Sequence, residues 1–357
     1  KICKICHDKG IEVHLTLNII IYENEIEKLD DVLRYAKSAG VDKIICWDMA
    51  VIKKAKKLGL GISISTQASI SNFESAKFYE EIGASQIVLA RECSIEDIKS
   101  IKEKTDLEIE TFAHGAMCVS VSGRCFISQF LYGCSANRGE CIQPCRRAYD
   151  TYLIKDNEED KELVLGNDYV MSPKDLCTLP FLDKIAPYAD TLKIEGRARG
   201  AEYVSIVVKA YKKALEAIND DKFDNKFKKN IEKELSKVFN RGFSDGFYMG
   251  KPISEWTKSY GSKSTYHKKT LGKVSNYYSK IGVAEVELTA NDLTQGNTIL
   301  IQGPSTGTLE VKVESLMKED HQTRTATKGD KVGIKVPSKV RKNDGVFLWV
   351  ERTENKD

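Results

Sequence analysis

Ser38-Ala-Gly-Val-Asp-Lys-Ile-Ile45 sets the rhythm of this chain, and Glu81-Ile-Gly-Ala-Ser-Gln-Ile-Val88 and Pro187-Tyr-Ala-Asp-Thr-Leu-Lys-Ile194 repeat it. In each phrase a helical pattern stops at glycine or another small residue, and a short apolar run follows. Glycine ends helices because it adopts the left-handed backbone without a steric penalty, and an apolar run suits a strand buried on both faces. Working outward, β-rich runs fall at 12–18, 43–48, 61–66, 86–91, 107–114 and 191–197, with helical segments such as 24–39, 70–83 and 94–104 between them. This alternation predicts an α/β fold with a parallel sheet covered by helices. The expected architecture is a (β/α) TIM-like barrel. A closed barrel of that kind needs about eight strands, and six are legible here, so the barrel is expected to be incomplete at its N-terminus. An open sheet is the alternative.

Polar residues recur at the ends of these runs: Thr16 and Asn18, Trp47 and Asp48, Thr66 and Gln67, Arg91 and Glu92, His114, then Glu195 and Arg197. In parallel α/β folds the carboxyl ends of the strands build the site. Any one of these residues can simply cap a helix, as Asp48 and Ser69 could. Their recurrence strand after strand favours a shared pocket.

The domain reading is a (β/α) barrel over 1–220 interrupted by an insertion at 115–177, a helical and basic aromatic connector over 221–267, and a small antiparallel β-barrel over 268–357. The insertion is rich in Gly, Cys and Arg in its first half and reads as a hairpin over an acidic turn in its second. The last part is a series of short alternating strands with turn residues between them. At the junction, Lys251, Lys258, Lys263, Lys268 and Lys269 stand against Glu255, with Trp256, Tyr260 and Tyr266 among them. Interleaved cations and aromatics suit single-stranded nucleic acid, because bases stack and phosphates pair with lysines. An ordinary basic linker has the same composition.

With 357 residues, 41% of them hydrophobic, and a formal charge of +3, the chain is globular and offers no global attraction for nucleic acid. No apolar run is long enough to span a membrane, and Lys1–Gly10 lacks the apolar core of a signal peptide. The expectation is a cytoplasmic protein with reduced cysteines.

Those cysteines are clustered. Glu110 to Cys145 reads ETFAHGAMCVSVSGRCFISQFLYGCSANRGECIQPC and holds five of the ten, Cys118, Cys125, Cys134, Cys141 and Cys145, with Cys177 beyond. Only Cys141 and Cys145 approach the tight knuckle of a zinc ribbon, whereas four thiolates on irregular loops suit an iron–sulfur cluster. A nucleophilic Cys118 with His114 as its base is the third reading. The metalloprotease, P-loop and dinucleotide motifs are absent. His7, His14, His267 and His321 read as surface or structural residues.

Glu110-Thr-Phe-Ala-His-Gly-Ala-Met-Cys118, followed by Ser122-Gly-Arg-Cys125, resembles the signature of the collagenase-like family known as peptidase U-32. Ser65-Thr-Gln-Ala68, Met171-Ser-Pro-Lys-Asp-Leu-Cys177, Leu192-Lys-Ile-Glu-Gly-Arg197 and Arg241-Gly-Phe-Ser-Asp-Gly-Phe247 match its other blocks. The resemblance implies one of two activities: the peptidase of the family's older label, or the hydroxylation of RNA or quinone known for its better-understood members. The long HGAMC block and the appended β-barrel make the chain most similar to the members that act on tRNA, which convert the wobble uridine to 5-hydroxyuridine. For that branch the resemblance implies a [4Fe–4S] cluster, prephenate as a co-substrate, tRNA as a partner and a ferredoxin-like electron donor. Carried over residue by residue, it implies Cys118, Cys125, Cys141 and Cys177 as ligands, Cys145 in reserve and Cys134 as a bystander. His114, Glu110, Lys193, Glu195 and Arg197 are the expected pocket residues, with Lys193 or Arg197 holding a carboxylate. Asn18, Gln67, Arg124, Lys258, Lys268 and Lys269 are the expected substrate contacts. A non-catalytic RNA-binding factor with a structural cluster is the remaining alternative.

Overall fold

The computed structural model describes residues 1–147, 154–155, 162–163, 172–250, 255–257, 261–319 and 321–352. They form two compact units. The first takes in 1–195, 214–223 and 241–261, and the second 196–213, 224–240 and 262–357.

The repeated phrases of the sequence do what their chemistry requires. After α1 (Ile2–His7) and β1 (His14–Thr16), α2 (Ile26–Ser38) buries Leu29, Leu33 and Ala36, one face of the helix. Gly40 then takes a φ of 83°, Val41 N–H bonds back to the Ala36 carbonyl, and β2 (Lys43–Cys46) begins. α3 (Met49–Lys57) starts at Asp48, whose carboxylate accepts from Ala50 N–H, and leads to β3 (Gly61–Ile64). α4 (Phe73–Glu81) is capped by Asn72 and stops before Gly83, at φ 102°, ahead of β4 (Gln86–Val88). α5 (Ile95–Lys102) opens on a Ser94–Asp97 capping box and precedes β5 (Glu108–Ala116).

β1 to β5 run parallel in chain order. The registers Ile44↔Ile62, Ile64↔Ile87 and Ile87↔Ile109 put the isoleucines on one side. There they share a core with Leu33, Val51, Ile52, Ala55, Ile98 and Ile101 from the helices. In-order right-handed crossovers place all their helices on one face, so the opposite face is free to carry polar side chains. Lys43 pairs with Glu108 there at 2.5 Å, and Gln86 donates to Thr191 at 3.3 Å.

Beyond β5 the rhythm breaks. A short pair, β6 (Ile154–Lys155) and β7 (Glu162–Leu163), lies within the insertion, and β8 (Asp175–Cys177) follows. β9 (Thr191–Ile194) pairs parallel with β5 over Glu110–His114, while β8 pairs antiparallel with its end over His114–Ala116. β10 (Phe243–Ser244) then joins β8 in parallel. All six runs read as strands along the sequence are therefore present and parallel. The barrel expected from them is not closed: among the described residues β1 pairs only with β2 and β9 only with β5. β5 spends its nine residues on three neighbours, and the antiparallel β8 takes the end of the strand.

The second unit holds an eight-stranded antiparallel sheet. Its order is Gly307–Lys312, Thr298–Gly303, Gly345–Glu351, β11 (Tyr266–Tyr278), Val283–Leu288, Lys331–Lys335, Leu316–Lys318 and His321–Thr323. Leu271, Val274, Val286, Ile299, Ile301, Val332 and Val346 fill one core. The expected small barrel is likewise an open order here, since the two end strands share no pairing among the described residues. β11 is long and shifts register between Thr270 and Gly272. A Cβ on Gly272 would stand 1.9 Å from the Glu287 carbonyl oxygen, a backbone atom that cannot step aside. Gly272→Ala should therefore cost about 1–3 kcal/mol or more. Urea denaturation checks this: an unchanged midpoint would show that the strand relaxes around the methyl group.

Candidate functional site

The ends of the parallel strands are tied to one another by side chains. Asn18, after β1, donates to Gln67 Oε1 at 3.0 Å, and Gln67 Nε2 returns a bond to the Asn18 carbonyl at 2.8 Å. Trp47 Nε1 donates to that same carbonyl, and Asn18 also reaches Ser65 Oγ. Asn18 and Gln67, expected as substrate contacts, thus satisfy each other across three strand ends.

Further along the row, Glu110 is buried and receives Lys193 Nζ at 2.5 Å. The register Phe112↔Lys193 and Glu110↔Thr191 makes that pair a diagonal across neighbouring strands. Phe112 has a second cation against it, with the Arg91 guanidinium 4.0 Å from the ring centroid and the Lys193 ammonium at 5.9 Å. His114 is buried, 2% exposed, and burial drives its imidazole down to about 3, so the ring is neutral at ordinary pH. Its ring lies 5.6 Å from Phe243, and it stands directly opposite Cys177 in the β5–β8 ladder. Glu195 N–H bonds to the His114 carbonyl at 2.8 Å. Glu110, Lys193, His114 and Glu195 therefore share one stretch of sheet. Arg197 is exposed and belongs to the second unit, and Arg124 is exposed on the cysteine loop.

That loop is clamped to the strand ends by polar contacts. The Arg138 guanidinium is bidentate to Glu25, at 2.5 and 2.8 Å, donates to the Ile20 carbonyl and packs over Tyr22. Buried Asn137 accepts from Cys125 N–H at 3.1 Å. Ser122 Oγ accepts from Arg91. Gly123, at φ 72°, approaches Gln67 so closely that a Cβ would sit 2.4 Å from Gln67 Cγ. Arg146 donates to the Met117 carbonyl and reaches Asp175 Oδ1 at 3.4 Å. Arg241 approaches the same oxygen at 3.7 Å, and its backbone N–H bonds to Oδ2 at 3.2 Å. These three side chains are only 3–10% exposed.

The ten cysteines form no disulfide. Burial pushes the Cys145 thiol up, Arg146 opposes that, and Cys118, Cys141 and Cys125 add to it, which puts these four thiols within electrostatic reach of one another. Ser128, on α6 (Ile127–Tyr132), donates to Cys141 Sγ at 3.8 Å. Cys177 is buried on β8, two residues from Asp175 and so on the same side of the strand. Cys134 donates to the Tyr132 carbonyl. Among the described residues no three His, Cys, Asp or Glu side chains stand close enough to hold a single metal ion.

The expected basic face is only partly as foreseen. Lys258 and Tyr260 lie outside the described residues. Lys268 and Lys269 do not share a face, because neighbours on a strand project to opposite sides. Lys269 is exposed, whereas Lys268 is paired with Glu202 at 2.8 Å and with Gln302. Tyr266 is stacked on Trp349. Sequence reasoning placed Arg91 and Arg241 only within larger patterns and missed Asp175 and Arg146. An aspartate inside an apolar β run, as in Asp175-Leu-Cys177, was the available signal of a buried carboxylate.

Comparison with known proteins gives the context. The model of the family described as peptidase family U32 matches residues 1–258. A collagenase of Porphyromonas gingivalis is 40% identical over 99% of this chain and 87% of its own length. A tRNA hydroxylation protein P1 of Bacillus subtilis is 33% identical over 87% of this chain and 74% of its own. A 23S rRNA 5-hydroxycytidine synthase of Escherichia coli is 35% identical over 60% of this chain and 32% of its own. Among the described residues, no helix is long and apolar enough to cross a membrane.

The clamp at Asp175 yields a direct test. Asp175→Asn leaves two buried guanidinium groups without their counter-charge, and removing one partner of such a group costs about 3–5 kcal/mol. Urea denaturation should show that loss. The Cys145 thiol should also react faster with an aromatic disulfide reagent, since Arg146 no longer anchors it. A stable variant with unchanged thiol kinetics would mean that the clamp does not hold the loop.

Proposed function

The chain belongs to peptidase family U32, and from that membership we propose that it hydroxylates RNA, acting on the wobble uridine of tRNA with an iron–sulfur cluster held by its cysteine loop. The observation that carries this reading is the grouping of Cys118, Cys125, Cys141 and Cys145, unbridged and within electrostatic reach of one another, on a loop clamped over the strand ends. Their chemistry fits a cluster better than a single ion. Soft thiolates suit iron–sulfur sites, and the ligands of a multi-iron cluster bind different irons and so stand farther apart than those of one zinc. Cys118, Cys125, Cys141 and Cys177 would hold it, with Cys145 as the alternative fourth ligand. Such a cluster supplies one-electron transfer or Lewis-acid activation when bound, and a ferredoxin-like protein is the class of electron donor it would need.

The chain's own residues prepare the substrate site. Glu110 fixes Lys193, and the two hold a charge pair beside His114. His114 stays neutral and so serves as a hydrogen-bonding group rather than a cation. Exposed Lys263 and Lys269 would meet RNA phosphates.

The names carried by relatives at 40% identity keep a peptidase as the second reading. Against it stands His114: an imidazole held near 3 is too weak a base to activate Cys118 at neutral pH.

Anaerobic reconstitution with iron and sulfide should produce a broad visible charge-transfer band. Cys118→Ser and Cys177→Ser should lose it and Cys145→Ser should keep it; the reverse result for the last two moves the fourth ligand to Cys145. Nucleoside mass spectrometry on tRNA from cells lacking the enzyme, complemented with this chain, should then show a restored 5-hydroxyuridine. Gelatin cleavage by the purified chain, with tRNA unmodified, would overturn the proposal in favour of the peptidase.

A further inference from the structure

Arg91 follows β4 and packs flat against Phe112, with its guanidinium carbon 4.0 Å from the ring centroid. One arm, Nη1, donates to Ser122. Its Nε is shielded from solvent and has no partner, and among the described residues no carboxylate forms an ion pair with the group. Cys118, Glu195 and Glu92 lie within electrostatic reach but do not offset the loss of hydration, which works against the charge. Lys193, the other cation on the same ring, is already paired with Glu110. A shielded guanidinium with one edge satisfied and the other idle is half of an ion pair.

We propose that Arg91 is the anchor for a small monocarboxylate that enters the strand-end site, received by the Nε–Nη2 edge of the guanidinium. This edge presents two nearly coplanar N–H groups, the geometry that meets a carboxylate in two parallel hydrogen bonds. A singly charged carboxylate balances the one unpaired cation. A phosphate would bring a second charge toward Glu92 and Glu195, and the only other cation on Phe112 is already neutralised by Glu110. The inference rests on reading the strand ends as the substrate site, and it moves the carboxylate-binding role from Lys193 and Arg197 to Arg91.

Calorimetric titration of the full chain without RNA tests it, with acetate and benzoate in one arm and inorganic phosphate in the other. Saturable one-to-one binding of a carboxylate is expected, lost in Arg91→Gln. Arg91→Lys keeps the charge but not the fork, and should weaken binding by at least about tenfold. If Arg91→Gln does not fold, as judged by circular dichroism, the comparison with Arg91→Lys decides. Phosphate binding more tightly than either carboxylate, equal binding by the variants, or no saturable carboxylate binding would each overturn the proposal. Because no RNA is present, a chain that binds carboxylate through Arg91 but leaves tRNA unmodified retains this inference and loses the hydroxylation reading.

Discussion

One buried carboxylate holds the candidate site together. Asp175, 3% exposed, meets the side chains of Arg146 and Arg241 and the backbone N–H of Arg241. These contacts join β8, the end of the cysteine loop and the segment leading into β10. A lone ion of this kind buried in a low-dielectric interior costs several kcal/mol, and two guanidinium groups with a backbone donor offset it only if all three segments are in place. The carboxylate therefore selects one arrangement of the three. The same Arg146 donates to the Met117 carbonyl, which fixes the chain beside Cys118.

Charges elsewhere along the strand ends are settled in two different ways. Lys193 and Glu110 neutralise each other at 2.5 Å, so that pair orders the site without attracting an ion. Arg91 has only an aromatic face and a hydroxyl. Cation–π contact contributes about 0.5–2 kcal/mol, less than the several kcal/mol lost on desolvating an ion. A cation left in deficit beside a satisfied one is a plain electrostatic difference between two side chains that share a ring.

The β–α rhythm was legible because it depends on local chemistry. Gly40 and Gly83 end their helices with positive φ, and the isoleucine runs form the strands read from them. What could not be read was anything set by distant pairing. The division of β5 among β4, β8 and β9 leaves no trace in the composition of 108–116. The Lys268–Lys269 pair looked like one basic patch because sequence adjacency says nothing of faces until the strand is placed; Glu202, 66 positions away, then takes one of them. Asn18 and Gln67 were legible as strand-end residues, but the bond between them spans 49 positions. The cysteine cluster was legible as a ligand set in kind. Its grouping around Cys145 follows from the Arg146–Asp175 clamp, which spacing alone does not encode.

The cysteine loop shows how little of its placement comes from the hydrophobic effect. Phe126 and Phe130 are 68% and 88% exposed, so the short helix α6 gains little from burial. The loop is instead held at discrete polar points: Arg138 on Glu25, Ser122 on Arg91, Arg146 on Asp175, and the close approach of Gly123 to Gln67. Net gains from such contacts are each about 0.5–3 kcal/mol, small beside the backbone entropy of ordering a segment of this length, about 1–2 kcal/mol per residue. A loop in that balance gains order from whatever its thiols bind, since a group that binds the folded form but not the unfolded one stabilises it in proportion to its affinity. Ligand binding by the cysteines and docking of the loop on the strand ends are therefore one coupled equilibrium, and the clamps at Asp175 and Glu25 set how much of it is already complete before anything binds.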